Sequence, residues 1–525
     1  MSYDFSRLHR FHGGLVLEEH KRESSETPIE TLPLPDLLTL PLQQHIGEPA
    51  TPMVRVGETV AKGQRLARPE GYVSVPIHAP TSGKIVAIGD FPVPHPSGLK
   101  APCIVLEPDG EDRWCEPENP IEDYTALDPS ALRNRIRDAG IVGLGGAGFP
   151  SFIKMNPATG RPIDLLVVNG AECEPWITCD DRLMRERAEA VVGGIHILLH
   201  ALSAAQCAIA IEDNKPEAIA AMRRAVASVG DDRMQVVEIP TLYPSGGEKQ
   251  LIYVLTGREV PSQGLPADIG IVCHNPGTIA AIHDAVVHHR PLISRIVTVT
   301  GDGVKRPANV EALIGTPMVD LIEHCGGYTP GADRLIMGGP MMGYALPEDD
   351  LPVIKTTNCL LVATRRTLPL PPPPRPCIRC GECERVCPAR LLPQQLYWYA
   401  HARDFDRIQD YHLFDCIECG CCAHVCPSHI PLVQYYRYAK TEIWEIERER
   451  RKAEQARQRH EARLARLERE KREREERLKK KRKAVRTDGD RRKAEIAAAL
   501  ERARRKKAGG EAQGAATTPK AQGDD

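Results

Sequence analysis

The sequence predicts a multidomain protein of mixed α/β and α+β class that ends in a charged helical tail. Three observations support this prediction. Two cysteine runs recur 39 residues apart near the end of the chain, and short apolar runs separated by Gly and Pro fill residues 31–115. Between residues 125 and 290, apolar strand patterns alternate with helical patterns. A chain of 525 residues is long enough for several domains with separate cores.

The cysteine runs both read C-x2-C-x2-C-x3-C-P, from Cys377 to Pro388 and from Cys416 to Pro427. Bacterial ferredoxins with two [4Fe–4S] clusters have this spacing, and the fourth cysteine of each run binds the other cluster. Zinc sites and disulfide frameworks fit the spacing less well. The runs therefore predict two clusters with crossed ligands. The first cluster is assigned Cys377, Cys380, Cys383 and Cys426, and the second Cys416, Cys419, Cys422 and Cys387. Cys421 could compete as a ligand, but the register favours Cys422.

The first part of the chain predicts a small β domain. Residues 1–30 are polar and irregular, whereas residues 31–115 carry the pattern of short strands. The stretches Val56–Val60 and His78–Ile85 resemble the two halves of a biotinyl/lipoyl-like barrel-sandwich domain. Carrier members of that family have a lysine between these halves, but Glu70–Ser74 contains none. We therefore expect a structural module and not a carrier of a prosthetic group.

Residues 125–290 predict a mostly parallel sheet with helices, because strands and helices alternate. Ligands of such sheets collect at the carboxyl ends of the strands, where we expect the Gly-rich loop Gly143–Pro150 and the turn Asn169–Pro175. Glycines let backbone N–H groups approach a phosphate, but they also make ordinary turns. The loop fits neither G-x-G-x-x-G nor G-x4-G-K-[ST]. The loop alone therefore leaves phosphate binding open.

Three segments of this chain resemble, in the same order, those that form the flavin and nicotinamide site in the NADH-oxidising subunit of respiratory complex I. They are Gly143–Pro150 with Lys154, Asn169–Pro175 and Tyr243–Glu248. The resemblance implies an FMN/NADH-binding domain over 125–290, with Glu248 as the catalytic candidate beside the nicotinamide. It implies that FMN is held by Gly143, Gly145, Gly146, Gly148, Lys154, Asn169, Glu172 and Glu174. Each carboxylate could instead be a surface or helix-capping group.

This sequence departs from the complex I pattern at three positions. Leu144 replaces an arginine, Ala171 an aspartate and Gly247 the first of two glutamates. The flavin segments therefore match the pattern better than the nicotinamide contacts do.

The chain from residue 294 onward divides into four parts. Residues 294–345 resemble an SLBB-like β-grasp module, to which we assign no ligand. The proline run Leu368–Pro376 predicts a stiff linker into a double [4Fe–4S] ferredoxin domain over 368–440. A charged helical tail is expected over 441–507, and 508–525 should be disordered.

The tail is the most basic part of the chain, since residues 440–507 hold 28 Lys/Arg against 15 Asp/Glu. Such a segment could dock an anionic partner or a membrane surface. It could equally be a solvated helix that pairs its own charges. The most apolar stretch elsewhere, residues 191–211, contains His196, His200 and Gln206, so we expect no membrane crossing there. No signal peptide is evident.

The order of these domains resembles that of the RnfC family. RnfC proteins are subunits of the Rnf electron-transport complex and are called RsxC in some proteobacteria. The resemblance implies a peripheral protein on the cytoplasmic side of the inner membrane. It would pass electrons from NADH through FMN to two [4Fe–4S] clusters and on to the other subunits. The complex couples this transfer to ion transport or keeps a redox-sensing regulator reduced. A ferredoxin-type protein would be reached indirectly, and no nucleic acid is expected.

Two other functions stay open. One is a non-catalytic iron–sulfur adaptor that relays electrons and docks other subunits, which the departures at Leu144 and Gly247 favour. The other is the flavin subunit of a soluble hydrogenase or formate dehydrogenase, against which the barrel-sandwich front and the basic tail argue.

Overall fold

The computed structural model describes residues 3–116, 123–156 and 161–510. The chain forms two compact units, Met1–Lys440 and Thr441–Asp525. Within the described residues the first unit contains four β-sheets together with helices. This arrangement confirms the predicted mixed α/β and α+β class.

Two antiparallel sheets form the barrel-sandwich part of the first unit. They enclose side chains that are fully buried, such as Leu40, Leu66 and Ile85, because apolar residues alternate inward along short strands. The first sheet contains strands Leu38–Pro41, Lys100–Pro108, Gly83–Pro92 and Thr59–Val60, and the second contains Thr51–Pro52, Arg65–Arg68 and Ile77–His78.

A four-stranded, wholly parallel sheet follows, as the alternation of strands and helices predicts. Its strands are nearly continuous apolar runs because helices cover the sheet. In spatial order they are Met234–Ile239, Gln206–Glu212, Leu165–Gly170 and Ile271–His274. The helices of this part are Pro129–Asp138, Ser151–Lys154, Cys179–Glu186, Ala188–Leu202, Pro216–Val229, Glu248–Thr256 and Pro276–Val287, with 3-10 turns at Tyr124–Ala126 and Pro266–Ile269.

A six-stranded mixed sheet comes next and takes in strands from outside residues 294–345. Its edge strand Glu30–Thr31 pairs in parallel with Ala308–Leu313, so the N-terminal segment is part of this sheet. The short helix Arg22–Ser25 precedes that edge strand. The remaining strands are Ser294–Thr300, Cys359–Thr364, Ala332–Met337 and Tyr344–Ala345, with helix Met318–His324.

The cysteine-rich part folds as two copies of one local structure. Backbone φ is positive at residues 379, 381 and 390 of the first copy, and again at 418, 420 and 429, each 39 residues later. The helices here are Glu382–Arg385, Pro393–Ala402, Phe405–Asp410 and Cys421–His424, with a 3-10 turn at Leu413–Asp415. The proline run that precedes the domain is tied down, since Arg375 N donates to Ser428 O at 2.8 Å and Ser428 Oγ donates to Pro376 O at 3.0 Å.

The last helix runs without a break from Leu432 to Gly510. It begins before the charged helical tail expected over 441–507 and includes all of that segment. Residues 508–510, expected to be disordered, belong to this helix, and residues 511–525 lie outside the described part of the chain. None of the described helices is both long enough and apolar enough to cross a bilayer.

Candidate functional site

The two cysteine runs bring their thiols together in two separate groups. Cys377, Cys380, Cys383 and Cys426 line one cavity of about 530 Å³, and we call them the distal cysteine set. Cys387, Cys416, Cys419 and Cys422 line a second cavity together with Cys421, and we call these four the proximal cysteine set. The fourth cysteine of each run thus lies with the first three of the other run.

The four thiols of each set match the donor set that a [4Fe–4S] cluster requires. The distal set lies nearer the surface, with Cys380 exposed, whereas Cys387, Cys419 and Cys422 are buried. Cys421 is fully buried and lines the same cavity as a fifth thiol. The choice of Cys422 over Cys421 as a ligand therefore stays a prediction from the register.

The Gly-rich loop is a closed turn whose tip is open to solvent. Gly143 N donates to Phe149 O at 2.8 Å and Gly148 N donates to Gly143 O at 3.2 Å, while Gly145 and Gly146 are exposed. Gly148 has φ +62°, and a Cβ there would lie 2.6 Å from Thr356 Cγ2. The position therefore requires glycine, and the exposed tip leaves backbone N–H groups available to an anion.

The loop lies beside the start of helix Pro276–Val287, which the sequence analysis did not single out. Asn275 caps this helix by accepting from Thr278 N at 3.2 Å, and Thr278 Oγ1 accepts from Leu144 N at 2.9 Å. A helix N-terminus beside exposed loop amides suits a phosphate. The sequence Asn-Pro-Gly-Thr, with Pro at the first helical position, was a readable signal for this helix start.

Lys154 and Glu248, which are 94 residues apart, form an ion pair at this edge of the sheet. Lys154 Nζ lies 2.5 Å from Glu248 Oε2 and also donates to Cys273 O at 3.0 Å. Burial has the largest single effect and lowers the pKa of Lys154. The charge of Glu248, the nearby Cys273 and the hydrogen bond to Glu248 together outweigh it, so the net shift is upward. Lys154 is therefore a fixed cation, and both side chains remain about one-third exposed.

Asn169, Glu172 and Glu174 lie where the central strand Leu165–Gly170 ends, but their side chains are already engaged. Asn169 Nδ2 donates to Gly246 O at 2.8 Å. Glu172 accepts from Asp180 N at 2.7 Å and Asp181 N at 3.2 Å, so it caps the first turn of helix Cys179–Glu186. Burial raises the Glu172 pKa to about 8.

Glu174 contacts a different element from Glu172. Its Oε1 accepts from Met341 N at 2.7 Å and Met342 N at 3.0 Å, and burial raises its pKa. Glu172 therefore has the helix-capping role considered as the alternative in the sequence analysis, whereas Glu174 binds backbone amides outside any helix. Their placement beside a flavin stays a prediction.

Lys21 is the residue of this region that the sequence analysis missed. It is 9% exposed, and its Nζ donates to Glu172 O at 2.7 Å, Glu174 O at 3.0 Å and Ile177 O at 2.7 Å. Its partners are backbone carbonyls, which leave no pattern in a sequence.

The strand-end loop that precedes Glu248 touches the proximal cysteine set directly. Tyr243 Oη donates to Cys419 O at 2.7 Å and the side chain is buried. The N-terminal segment bonds to both sides of this contact, because Leu15 N donates to Tyr243 O at 2.7 Å and Gly14 N donates to Val386 O, next to Cys387, at 3.1 Å. The loop Tyr243–Glu248 and the proximal cysteine set are therefore neighbours.

Models of four protein families match this chain. They are described as RnfC barrel sandwich hybrid domain over residues 9–111, Nuo51 FMN-binding domain over 136–284, SLBB domain over 296–345 and 4Fe-4S dicluster domain over 376–430. An FMN-binding domain and a 4Fe-4S domain are therefore present.

Curated relatives named as the C subunit of an ion-translocating oxidoreductase complex match most of the chain. The Pseudomonas aeruginosa protein is 54% identical over 86% of this chain and 58% of its own length. The Edwardsiella ictaluri protein is 49% identical over 85% and 55%, and the Rhodobacter capsulatus protein is 47% identical over 75% of each. The chain thus spans less than two thirds of the length of the first two. Among solved structures, an NAD+-reducing [NiFe]-hydrogenase in the H2-reduced state matches with a TM-score of 0.42 and 19% identity over 62% of this chain and 63% of its own.

Proposed function

This chain belongs to the RnfC family of ion-translocating oxidoreductase complexes, and from that premise we propose that it is the electron-input subunit of such a complex. It takes electrons from NADH at an FMN site and passes them through two [4Fe–4S] clusters to the other subunits. In this proposal it is a peripheral protein on the cytoplasmic side of the inner membrane, where the complex couples electron transfer to ion transport or keeps a redox-sensing regulator reduced.

The contact between the loop Tyr243–Glu248 and the proximal cysteine set carries the proposal. Tyr243 belongs to the loop that ends in Glu248, and its hydroxyl donates to the carbonyl of the cysteine Cys419. A separate carrier domain would not need this buried contact. A donor site beside a cluster site suits direct transfer of electrons between them.

The residues present fit FMN by their chemistry. The exposed amides of Gly145 and Gly146, with the N-terminus of the helix that Asn275 caps, would hold the phosphate. Lys154 supplies a fixed positive charge at the same edge. Bound FMN accepts two electrons together and releases them one at a time. The protein supplies the position and the electrostatics.

Glu248 is the proposed contact of the nicotinamide. It is the first residue of helix Glu248–Thr256 and remains one-third exposed while paired with Lys154. The ion pair fixes the orientation of the carboxylate, which can accept a hydrogen bond from a carboxamide at the site entrance. In this role Glu248 orients the reactant and moves no proton.

The contacts also support an order of transfer. The proximal set is the one that touches Tyr243, whereas the distal set includes the exposed Cys380. We therefore place the proximal cluster first and the distal cluster as the outlet to a partner protein of the complex.

Anaerobic mixing of the cluster- and FMN-reconstituted protein with NADH tests the proposed function. Flavin absorbance should bleach first, followed by cluster absorbance. A protein that holds FMN and both clusters but shows no bleaching of either would be an iron–sulfur adaptor instead.

A further inference from the structure

The excess positive charge of the tail is concentrated in one short block. Residues 442–476 hold 12 Lys/Arg against 11 Asp/Glu and are nearly balanced. The next ten residues, 477–486, hold seven Lys/Arg and no acidic residue. A helix that pairs its own charges therefore accounts for the first stretch but not for this basic block.

Ion pairs along the helix follow the same division. Pairs three or four residues apart stabilise an exposed helix, and they occur on both sides of the block. Before it lie Lys452–Glu449, Arg457–Glu454 and Arg466–Glu470, and after it Arg492–Asp488, Arg491–Glu495 and Arg505–Glu501. In the helix as described up to residue 506, no side chain of residues 477–486 joins an ion pair, and all ten are exposed.

The basic block also presents two apolar side chains to solvent. Leu478 and Val485 are 51% and 73% exposed and, at seven residues apart, lie on the same face of the helix. The lysines around them have long apolar stems that can lie along a bilayer surface while the ammonium groups reach its phosphates. Helices that lie in the membrane interface combine these features.

We propose that residues 477–486 bind the surface of a membrane that contains anionic phospholipids. Lipid phosphates would pair with the seven cations, and Leu478 and Val485 would enter the headgroup layer. A nucleic acid also offers phosphates, but it has no apolar layer for these two side chains. The proposal rests on the proposed function, because a lipid contact serves a protein that works at a membrane complex.

Sedimentation of the full chain with vesicles tests this proposal. Vesicles of phosphatidylcholine with phosphatidylglycerol should bind the protein, whereas phosphatidylcholine alone should not. The variant Lys479→Gln/Lys481→Gln/Lys483→Gln should bind about 100-fold more weakly, since each cation near an anionic surface contributes about 1 kcal/mol. The matched control, Arg459→Gln/Arg463→Gln/Arg469→Gln, removes the same charge from the balanced stretch and should bind almost as well as the parent.

Several outcomes would overturn the proposal. They are equal weakening in both variants, binding that ignores the anionic lipid, or no binding at all. A short DNA duplex that binds through residues 477–486 while vesicles do not would assign the block to nucleic acid instead. Circular dichroism checks that both variants keep the helix. Flavin bleaching by NADH in solution tests the proposed function separately, so the two failures are distinguishable.

Discussion

Replacing Lys21 with Met should loosen the turn that follows the central strand of the parallel sheet. The ammonium donates to three carbonyls of that turn, at Glu172, Glu174 and Ile177. Met fills a similar volume but donates no hydrogen bond. A buried acceptor left without a partner costs about 1–3 kcal/mol. With partial relaxation of the turn, we expect a total cost of about 3–5 kcal/mol.

We expect this cost to be local because the turn lies at the edge of the sheet and not in its core. FMN affinity, measured by quenching of flavin fluorescence, should fall about 100-fold, which corresponds to about 3 kcal/mol. Hydrogen exchange in residues 171–178 should rise, and this readout does not depend on FMN. Lys84→Met is the control, because Lys84 is exposed on strand Gly83–Pro92. Parent-like exchange and FMN binding within about 2-fold of the parent would refute the reasoning.

Four further predictions follow from other contacts. Glu248→Gln should slow flavin reduction by NADH at least about 10-fold with little change in FMN affinity, and an unchanged stopped-flow rate would remove Glu248 from its role. Cys426→Ser removes a ligand of the distal cluster, so bound iron should fall from about eight to about four atoms while NADH still reduces the proximal cluster. Cys387→Ser removes a ligand of the proximal cluster and should block reduction of the distal cluster that remains. The reverse result would invert the proposed order of transfer. Cys421→Ser should keep both clusters by iron content and electron paramagnetic resonance, and loss of one would make Cys421 a ligand. Burial lowers the pKa of Lys355 to about 7, so between pH 7 and 9 this lysine binds more protons in the unfolded chain than in the folded one. The free energy of unfolding of the parent should therefore rise relative to that of Lys355→Met by up to about 1.4 kcal/mol per pH unit. The melting temperatures of the two proteins should diverge as the pH rises, and a constant difference between them would contradict this.

The features that the sequence predicted well are those that repeat or alternate locally. The cysteine spacing predicted which thiols share a cavity, because the two runs fold alike and pack face to face. The parallel sheet followed from apolar runs separated by helical patterns. The closeness of Lys154 and Glu248 needed the resemblance to complex I, since 94 residues separate them.

The features that the sequence did not reveal depend on contacts with backbone atoms. Residues 1–30 look irregular, yet they supply Lys21 to the strand-end turn and the strand Glu30–Thr31 to the mixed sheet. Neither contribution shows as a period in the sequence. The acidic residues Glu172 and Glu174 were expected beside a flavin, with a surface or helix-capping role as the alternative. The sequence does not show which backbone amides their oxygens accept from.

The leucine at position 144 illustrates how a departure from a family pattern can be compensated elsewhere in the fold. Leu144 is buried, where the complex I pattern has an arginine. Its backbone carbonyl instead accepts from Arg295 Nη2 at 3.2 Å, and the same guanidinium donates to Lys355 O. Arg295 lies on strand Ser294–Thr300 of the mixed sheet, so a cation from another domain contacts the Gly-rich loop. The missing arginine is therefore a weaker argument for a non-catalytic adaptor than the sequence alone suggests.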